Sequence, residues 1–258
     1  EELINYLRGN DGGSWQKDIE KKGYSISLIK GLITNGILSK EKRSHIKNND
    51  SSADCYCYKE SKIEINKFPM LTEEQKSSIE VFSALPNGKA MLLWGVTGSG
   101  KTEVYINLAL RSFENGSSSL ILAPEIGLIP QLVDRFRSRF GENIFEYHSG
   151  CSEKERIRTW RIVRNTTKPL IVIGTRSSIF LPLNSLGLIV VDEEHDSSYK
   201  QESPMPCYNA RDLALDRAER IGAKIVLGSA TPSLITWKEL KPHGDISLAR
   251  LDSRISDR

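Results

Sequence analysis

The stretch Gly95-Val96-Thr97-Gly98-Ser99-Gly100-Lys101-Thr102 decides how the rest of the chain is read. Its spacing, G-x-x-x-x-G-K-T, is that of a phosphate-cradling loop. The flanks agree with the letters. Ala90-Met91-Leu92-Leu93-Trp94 is a short apolar run that predicts a buried parallel strand. Residues Thr102 to Leu110 then place apolar side chains at helical spacing. Strand, glycine loop and helix is the order the chemistry needs. Glycines let consecutive backbone N–H groups turn toward an anion, and a helix start adds partial positive charge. In that frame Gly95, Val96, Thr97, Gly98, Ser99 and Gly100 wrap the phosphates of a nucleoside triphosphate. Lys101 reaches the β- and γ-phosphates, and the Thr102 hydroxyl coordinates Mg²⁺.

Composition narrows the class without naming it. At 258 residues the chain is long enough for one large or two modest domains. No apolar run approaches the ~20 residues of a membrane span, and no signal peptide opens the sequence. The expectation is a cytoplasmic protein with no membrane contact. The first residue is Glu1 and not Met, which reads as a piece excised from something longer. Lys and Arg total 36 against 33 Asp and Glu, a net charge of +3 that is too mild to argue nucleic acid from charge alone. Cys55, Cys57, Cys151 and Cys207 lack the paired C-x-x-C spacing of a zinc site, so reduced thiols and no zinc are expected. Cys55 and Cys57 point the same way along a strand, which either holds a metal or is only a strand.

Residues 1–67 read as a small separate unit. Leu3, Ile4 and Leu7 form an amphipathic turn ended by Gly12-Gly13. Ser14 caps a helix from Trp15 to Lys22, and Ser25 caps another whose Ile26, Ile29, Leu32 and Ile33 share one face. Two strand-like pieces follow around the polar loop 48–52. Three short helices and a hairpin is the winged-helix plan, which binds DNA through its third helix and wing. Lys30, Lys40, Lys42, Arg43 and Lys47 cluster near that hairpin and favour DNA contact; the other reading is a packing module.

From residue 68 to 258 strands and helices alternate. Leu120–Ala123, Ile144–His148, Leu170–Gly174, Leu188–Val191 and Ile225–Gly228 read as strands, with helical stretches between them. This predicts an α/β domain, a parallel sheet covered on both faces in a RecA-like arrangement.

Leu188-Ile189-Val190-Val191 runs into Asp192-Glu193-Glu194-His195. A strand this apolar carries carboxylates only at its end, where the nucleotide lies in such sheets. Asp192 is placed to hold Mg²⁺ through water, and Glu193 to act as general base toward an attacking water. Gly228-Ser229-Ala230-Thr231-Pro232 supplies a further motif at the end of the next strand.

The D-E-x-H box with S-A-T resembles superfamily 2 helicases of the DEAH class. The match is closer than that. The segments 95–105, 123–131, 148–150, 174–180, 186–201, 208–212 and 227–233 resemble the PriA family of primosomal replication-restart helicases, almost continuously from 68 to about 250. Residues 1–67 then resemble that family's winged-helix domain. The resemblance implies ATP with Mg²⁺ as ligands, catalytic roles for Lys101, Asp192 and Glu193, and a motif III at Ser229, Ala230 and Thr231. It implies that Gln75, in Leu71-Thr72-Glu73-Glu74-Gln75, contacts adenine and that Arg176 contacts a DNA phosphate. It also makes 197–208 an aromatic-rich loop that couples strand binding to hydrolysis, with Tyr199, Lys200, Tyr208 and Arg211 taking part. Tyr208 has a second reading, as packing for its helix. Family members carry Arg where this chain has Cys207, which removes one expected DNA contact. The sequence shows no cysteine-rich zinc module, no second RecA-like lobe and no upstream domain for capturing a 3′ end.

By resemblance the function is 3′-to-5′ unwinding of stalled forks and replisome reloading. The implied partners are forked and single-stranded DNA, single-stranded DNA-binding protein and primosome components, and a monomer is expected. Two other readings stand beside it: a different fork-remodelling translocase, or a nucleotide-gated DNA-binding module without turnover.

Overall fold

The structure is a computed structural model that describes Leu3 and residues 16–35, 37–38, 69–240 and 246–255. The chain divides into two compact units, Glu1–Cys55 and Tyr56–Arg258, so the divide falls ahead of the boundary drawn from sequence after residue 67. In the first unit, helix α1 spans Gln16–Lys21 and α2 spans Ile26–Thr34. Ser25 caps α2, its Oγ accepting from Leu28 N at 3.3 Å. Leu3, Ile19 and Ile29 make the small core, against which Leu32 and Ile33 pack, whereas Ile26 of the expected apolar face is exposed. The Ser14 cap, the glycine turn and the basic hairpin with Cys55 and Cys57 lie outside the described residues.

The second unit alternates as its sequence does. Its elements are α3 (Glu73–Ala84), β1 (Ala90–Gly95), α4 (Lys101–Glu114), β2 (Ser118–Leu122), α5 (Ile129–Phe140), β3 (Ile144–Tyr147) and α6 (Glu153–Asn165). They continue with β4 (Ile171–Gly174), β5 (Leu186–Val191), the two-residue strands β6 (Lys200–Gln201) and β7 (Tyr208–Asn209), α7 (Ala210–Ile221), β8 (Lys224–Ser229), α8 (Leu234–Glu239) and β9 (Ile246–Leu251). Seven strands form one sheet in the order β3-β4-β2-β5-β8-β1-β9, and every pairing in it is parallel.

Successive side chains of a strand point to opposite faces, and both faces here are dry. Met91 and Leu93 of β1, Leu188 and Val190 of β5 and Ile171 and Ile173 of β4 join the core beneath α3, α4 and α5. Their neighbours Leu92, Ile189, Val191 and Val172 join the opposite core, which Val163 of α6 and Ala214 and Ala218 of α7 cover. Continuous apolar runs, with no alternation of polar residues, are the consequence. Among the described residues no helix is long and apolar enough to cross a membrane.

One close approach ties the sheet to α4. A Cβ on Gly228 would overlap the hydroxyl of Tyr105, which is itself fully buried. Gly228→Ala should therefore lower the melting temperature, and adding Tyr105→Phe, which deletes the clashing oxygen, should restore part of the loss. Additive losses in the double variant would show that this contact is not what glycine serves.

Candidate nucleotide site

Three adjacent strands deliver three loops to one edge of the sheet. β1 runs into the phosphate loop, β5 into the acidic box and β8 into Ser229-Ala230-Thr231, and in the sheet these strands stand in the order β5-β8-β1. Parallel packing puts all three carboxyl ends together, which is where ligands of such sheets sit.

Gly98 and Gly100 take φ of +82° and +83°, a left-handed conformation that side chains disfavour. At Gly100 a Cβ would also overlap the Gln75 amide and the Ile255 side chain. α4 starts at the next residue; Glu103 N and Val104 N donate to the Gly100 carbonyl, and no side-chain cap takes up the N–H groups ahead of them. Lys101 is buried at 8% exposure, and its ammonium donates to the Gly95 carbonyl at 2.9 Å and meets Glu193 Oε1 at 3.3 Å. An ammonium has three donors; these two acceptors leave capacity for a phosphate oxygen. The buried Ser99 hydroxyl has no hydrogen-bond partner in the protein. A glycine cradle, a helix start and a buried cation fit a triphosphate.

Asp192 lies at the mouth of β5, where its Oδ1 accepts from the Tyr105 hydroxyl at 2.9 Å. Burial pushes its carboxyl above the usual range; the Tyr105 bond and the nearby Lys101 charge oppose that shift. Burial, with Asp192 adding to it, holds the Tyr105 phenol well above its ordinary value, so Tyr105 remains a donor. Thr102 in the first turn of α4 and Asp192 would together offer a hydroxyl and a carboxylate, donors of the kind Mg²⁺ takes with its remaining waters. Bound there, Mg²⁺ would neutralise phosphate charge. Among the described residues no group of three or more His, Cys, Asp or Glu is placed to hold a metal.

Glu193 has a φ of +46°, in a region where non-glycine residues are uncommon. Backbone bonds pin it on both sides: Asp192 N to Leu122 O at 2.9 Å and Glu194 N to Gly228 O at 2.9 Å. Its carboxylate reaches Lys101 on one side and accepts from Ala230 N at 3.4 Å on the other. His195 joins the box to the third loop, with Nδ1 2.8 Å from Ser229 Oγ and Nε2 3.3 Å from Thr231 Oγ1.

Burial shows what three of the expected residues contact within the protein. Gln75 bonds protein groups at both ends of its amide. It is 1% exposed, its Oε1 accepts from Thr72 N at 3.0 Å in a capping box, and its Nε2 approaches Ser99 O and Gly100 O at 3.5 and 3.4 Å. It props the phosphate loop from behind. Tyr199 offers no stacking face: it is 1% exposed, and its hydroxyl is shared between the carbonyls of Asp192 at 2.6 Å and Leu122 at 2.9 Å. Arg211 is buried as well, and its guanidinium pairs with Glu194 at 3.0 Å instead of facing solvent.

The other coupling residues stay near the surface. Arg176 donates to the carbonyls of Ser198 and Lys200, both at 3.2 Å, and Lys200 pairs with Glu202 at 2.7 Å. Tyr208 is half-buried and packs edge-on against exposed Phe180, with centroids 4.9 Å apart. The turn at 203–206 is tied down, because Gln201 Nε2 donates to Pro204 O at 2.9 Å and Pro206 O at 3.0 Å. Cys207 Sγ contacts Glu202 O at 3.0 Å. Sequence reasoning missed Tyr105, Glu194 and Phe180. Tyr105 was reachable, since four residues after Lys101 it shares that residue's helix face.

Residues 72–240 match the DEAD/DEAH box helicase family, and the chain belongs to it. Among curated proteins it is 42% identical over 238 residues to the replication restart protein PriA of Synechocystis sp., covering 92% of this chain and 27% of that protein. It is 38% identical over 242 residues to PriA of Bacillus subtilis, covering 93% and 29%. The chain thus spans little more than a quarter of the length of these relatives. Solved structures share the fold: RecG bound to a three-way DNA junction (TM-score 0.52, 22% identity, 76% of this chain and 27% of that one) and a DEAD box protein from Methanococcus jannaschii (TM-score 0.50, 23% identity, 70% and 49%).

Lys101→Ala should abolish measurable triphosphate binding in calorimetry while leaving the melting curve cooperative. It removes the buried cation from a cradle otherwise built of backbone N–H groups. Equal ATP affinity in the two proteins would remove the phosphate-loop assignment.

Proposed function

We propose that this chain is the ATP-binding motor lobe, with an attached winged-helix unit, of a 3′-to-5′ DNA helicase that restarts replication at stalled or abandoned forks. The observation that carries the reading is Lys101 held between the Gly95 carbonyl and the Glu193 carboxylate at the joint edge of β1, β5 and β8. Lys101 and the loop hold the triphosphate, Thr102 and Asp192 hold Mg²⁺, and Glu193 accepts a proton from the attacking water. Ser229, Ala230 and Thr231 report the state of that site through His195 and Glu193. Exposed Phe180 and its neighbour Tyr208, with Arg176 and Lys200 beside them, supply ring and charge for a single strand without sequence preference. Similarity to PriA supports replication restart as the setting, with single-stranded DNA-binding protein and primosome components as partners and a monomeric cytoplasmic state.

Turnover by the isolated chain should be slow. In two-lobed motors an arginine from the opposing lobe stabilises the transferring phosphate, an effect of roughly 10³ to 10⁵ in rate. ATP turnover measured with and without forked DNA, on this chain and on the full-length polypeptide that carries it, tests the reading. DNA-stimulated hydrolysis by the full-length protein and little by the chain alone is the expected result. Nucleotide binding without hydrolysis in either would favour a gated DNA-binding module; several turnovers per second by the chain alone would contradict the need for a second lobe.

A further inference from the structure

Glu194, the third residue of the acidic box, has no part in the chemistry assigned to its neighbours, yet its side chain is wholly buried. A buried charge needs partners, and those of Glu194 come from two separate segments. Arg211 Nε donates to Oε2 at 3.0 Å, from the first turn of α7. Ser233 N donates to Oε1 at 2.7 Å, and Thr236 Oγ1 to Oε2 at 2.8 Å, both from the stretch that follows Ser229-Ala230-Thr231. Arg211 closes the ring, with NH2 2.6 Å from Thr236 Oγ1 and 3.3 Å from Glu239. A buried ion pair is weak evidence for stability. Its use here follows from what it connects.

α7 is capped by Asn209, whose side chain accepts from Arg211 N at 2.9 Å. Asn209 is also the β7 residue paired with Lys200 across the hairpin, next to Tyr208 on its Phe180 contact. At the other end, Glu194 follows Glu193 directly and fixes its strained backbone through the bond from Glu194 N to Gly228 O. A continuous set of hydrogen-bonded groups thus runs from the hairpin through Asn209, Arg211 and Glu194 to the backbone beside Glu193.

We propose that Glu194, with Arg211 and Thr236, is a positioning strut that transmits occupancy of the Tyr208 hairpin by a single strand to Glu193 and to the loop after β8. The proposal rests on the DNA-stimulated hydrolysis of the proposed function and names the residues that couple it. Glu194 touches neither nucleotide nor strand.

The test is made in the full-length polypeptide, with a saturating single-stranded oligonucleotide, measuring ATPase rate with and without DNA, KM for ATP, and melting temperature. Glu194→Gln keeps the shape and removes the charge. The ratio of stimulated to basal rate should fall about tenfold, with basal rate and KM within about twofold of the parent. Thr236→Val, which leaves the Glu194–Arg211 pair intact, should lower the same ratio, and Thr236→Ser, which keeps the hydroxyl, should preserve it. If Glu194→Gln is too unstable to purify, the threonine pair carries the test. A lowered melting temperature with the ratio unchanged would overturn the strut, and so would equal loss of both rates. A parent protein with no stimulation by DNA would overturn the proposed function and the strut together; stimulation retained in every variant overturns the strut alone.

Discussion

The buried ammonium of Lys101 is the constraint on which the site depends. It is held between a backbone carbonyl at the end of β1 and the Glu193 carboxylate after β5. Those strands are not neighbours, because β8 stands between them. The pair therefore spans β8 and fixes the spacing of the phosphate loop against the acidic box. A buried cation left alone is costly, so the loop and the box have to stay together. In the proposed function an incoming triphosphate would engage the remaining donor of this cation and draw it from Glu193, whose carboxylate would then be free to act on water.

The sheet makes that arrangement possible by covering both of its faces. Strands with apolar side chains up and down can present polar groups only at their ends, and parallel connections bring the ends of β1, β5 and β8 to one side. Close approaches then set the heights. Gly228 admits the Tyr105 hydroxyl, which is how a residue of α4 reaches Asp192. Gln75 presses on the phosphate loop from α3, where Gly100 leaves room for its amide.

Much of this was legible in the sequence, and the parts that were share a cause. The phosphate loop declares itself because left-handed backbone at Gly98 and Gly100 restricts residue choice locally. The strands declare themselves because double burial leaves unbroken apolar runs. The parts that were misread depend on where a side chain points in three dimensions. Tyr199 reads as a stacking ring beside Lys200, but its hydroxyl bonds a carbonyl on β2 that lies 77 positions earlier. Arg211 reads as part of the coupling loop, and what the sequence hides is the charge that claims it: Glu194 lies 17 positions away in a run of acids that looks uniform in sequence. Gln75 reads as a base contact only through resemblance, and the sequence does not show that its capping box leaves its amide free to reach a loop 25 positions on. Period and spacing locate elements; long-range polar partners decide which residues face the ligand.

The most direct measurement of the central claim is a crystal structure of this chain with Mg²⁺ and a non-hydrolysable ATP analogue. The account predicts that Lys101 Nζ leaves Glu193 for the β- and γ-phosphates, with Thr102 and Asp192 about the metal and Glu193 turned to a water beyond the γ-phosphate. Triphosphate bound elsewhere, or Lys101 still paired with Glu193 and without phosphate contact, would contradict it.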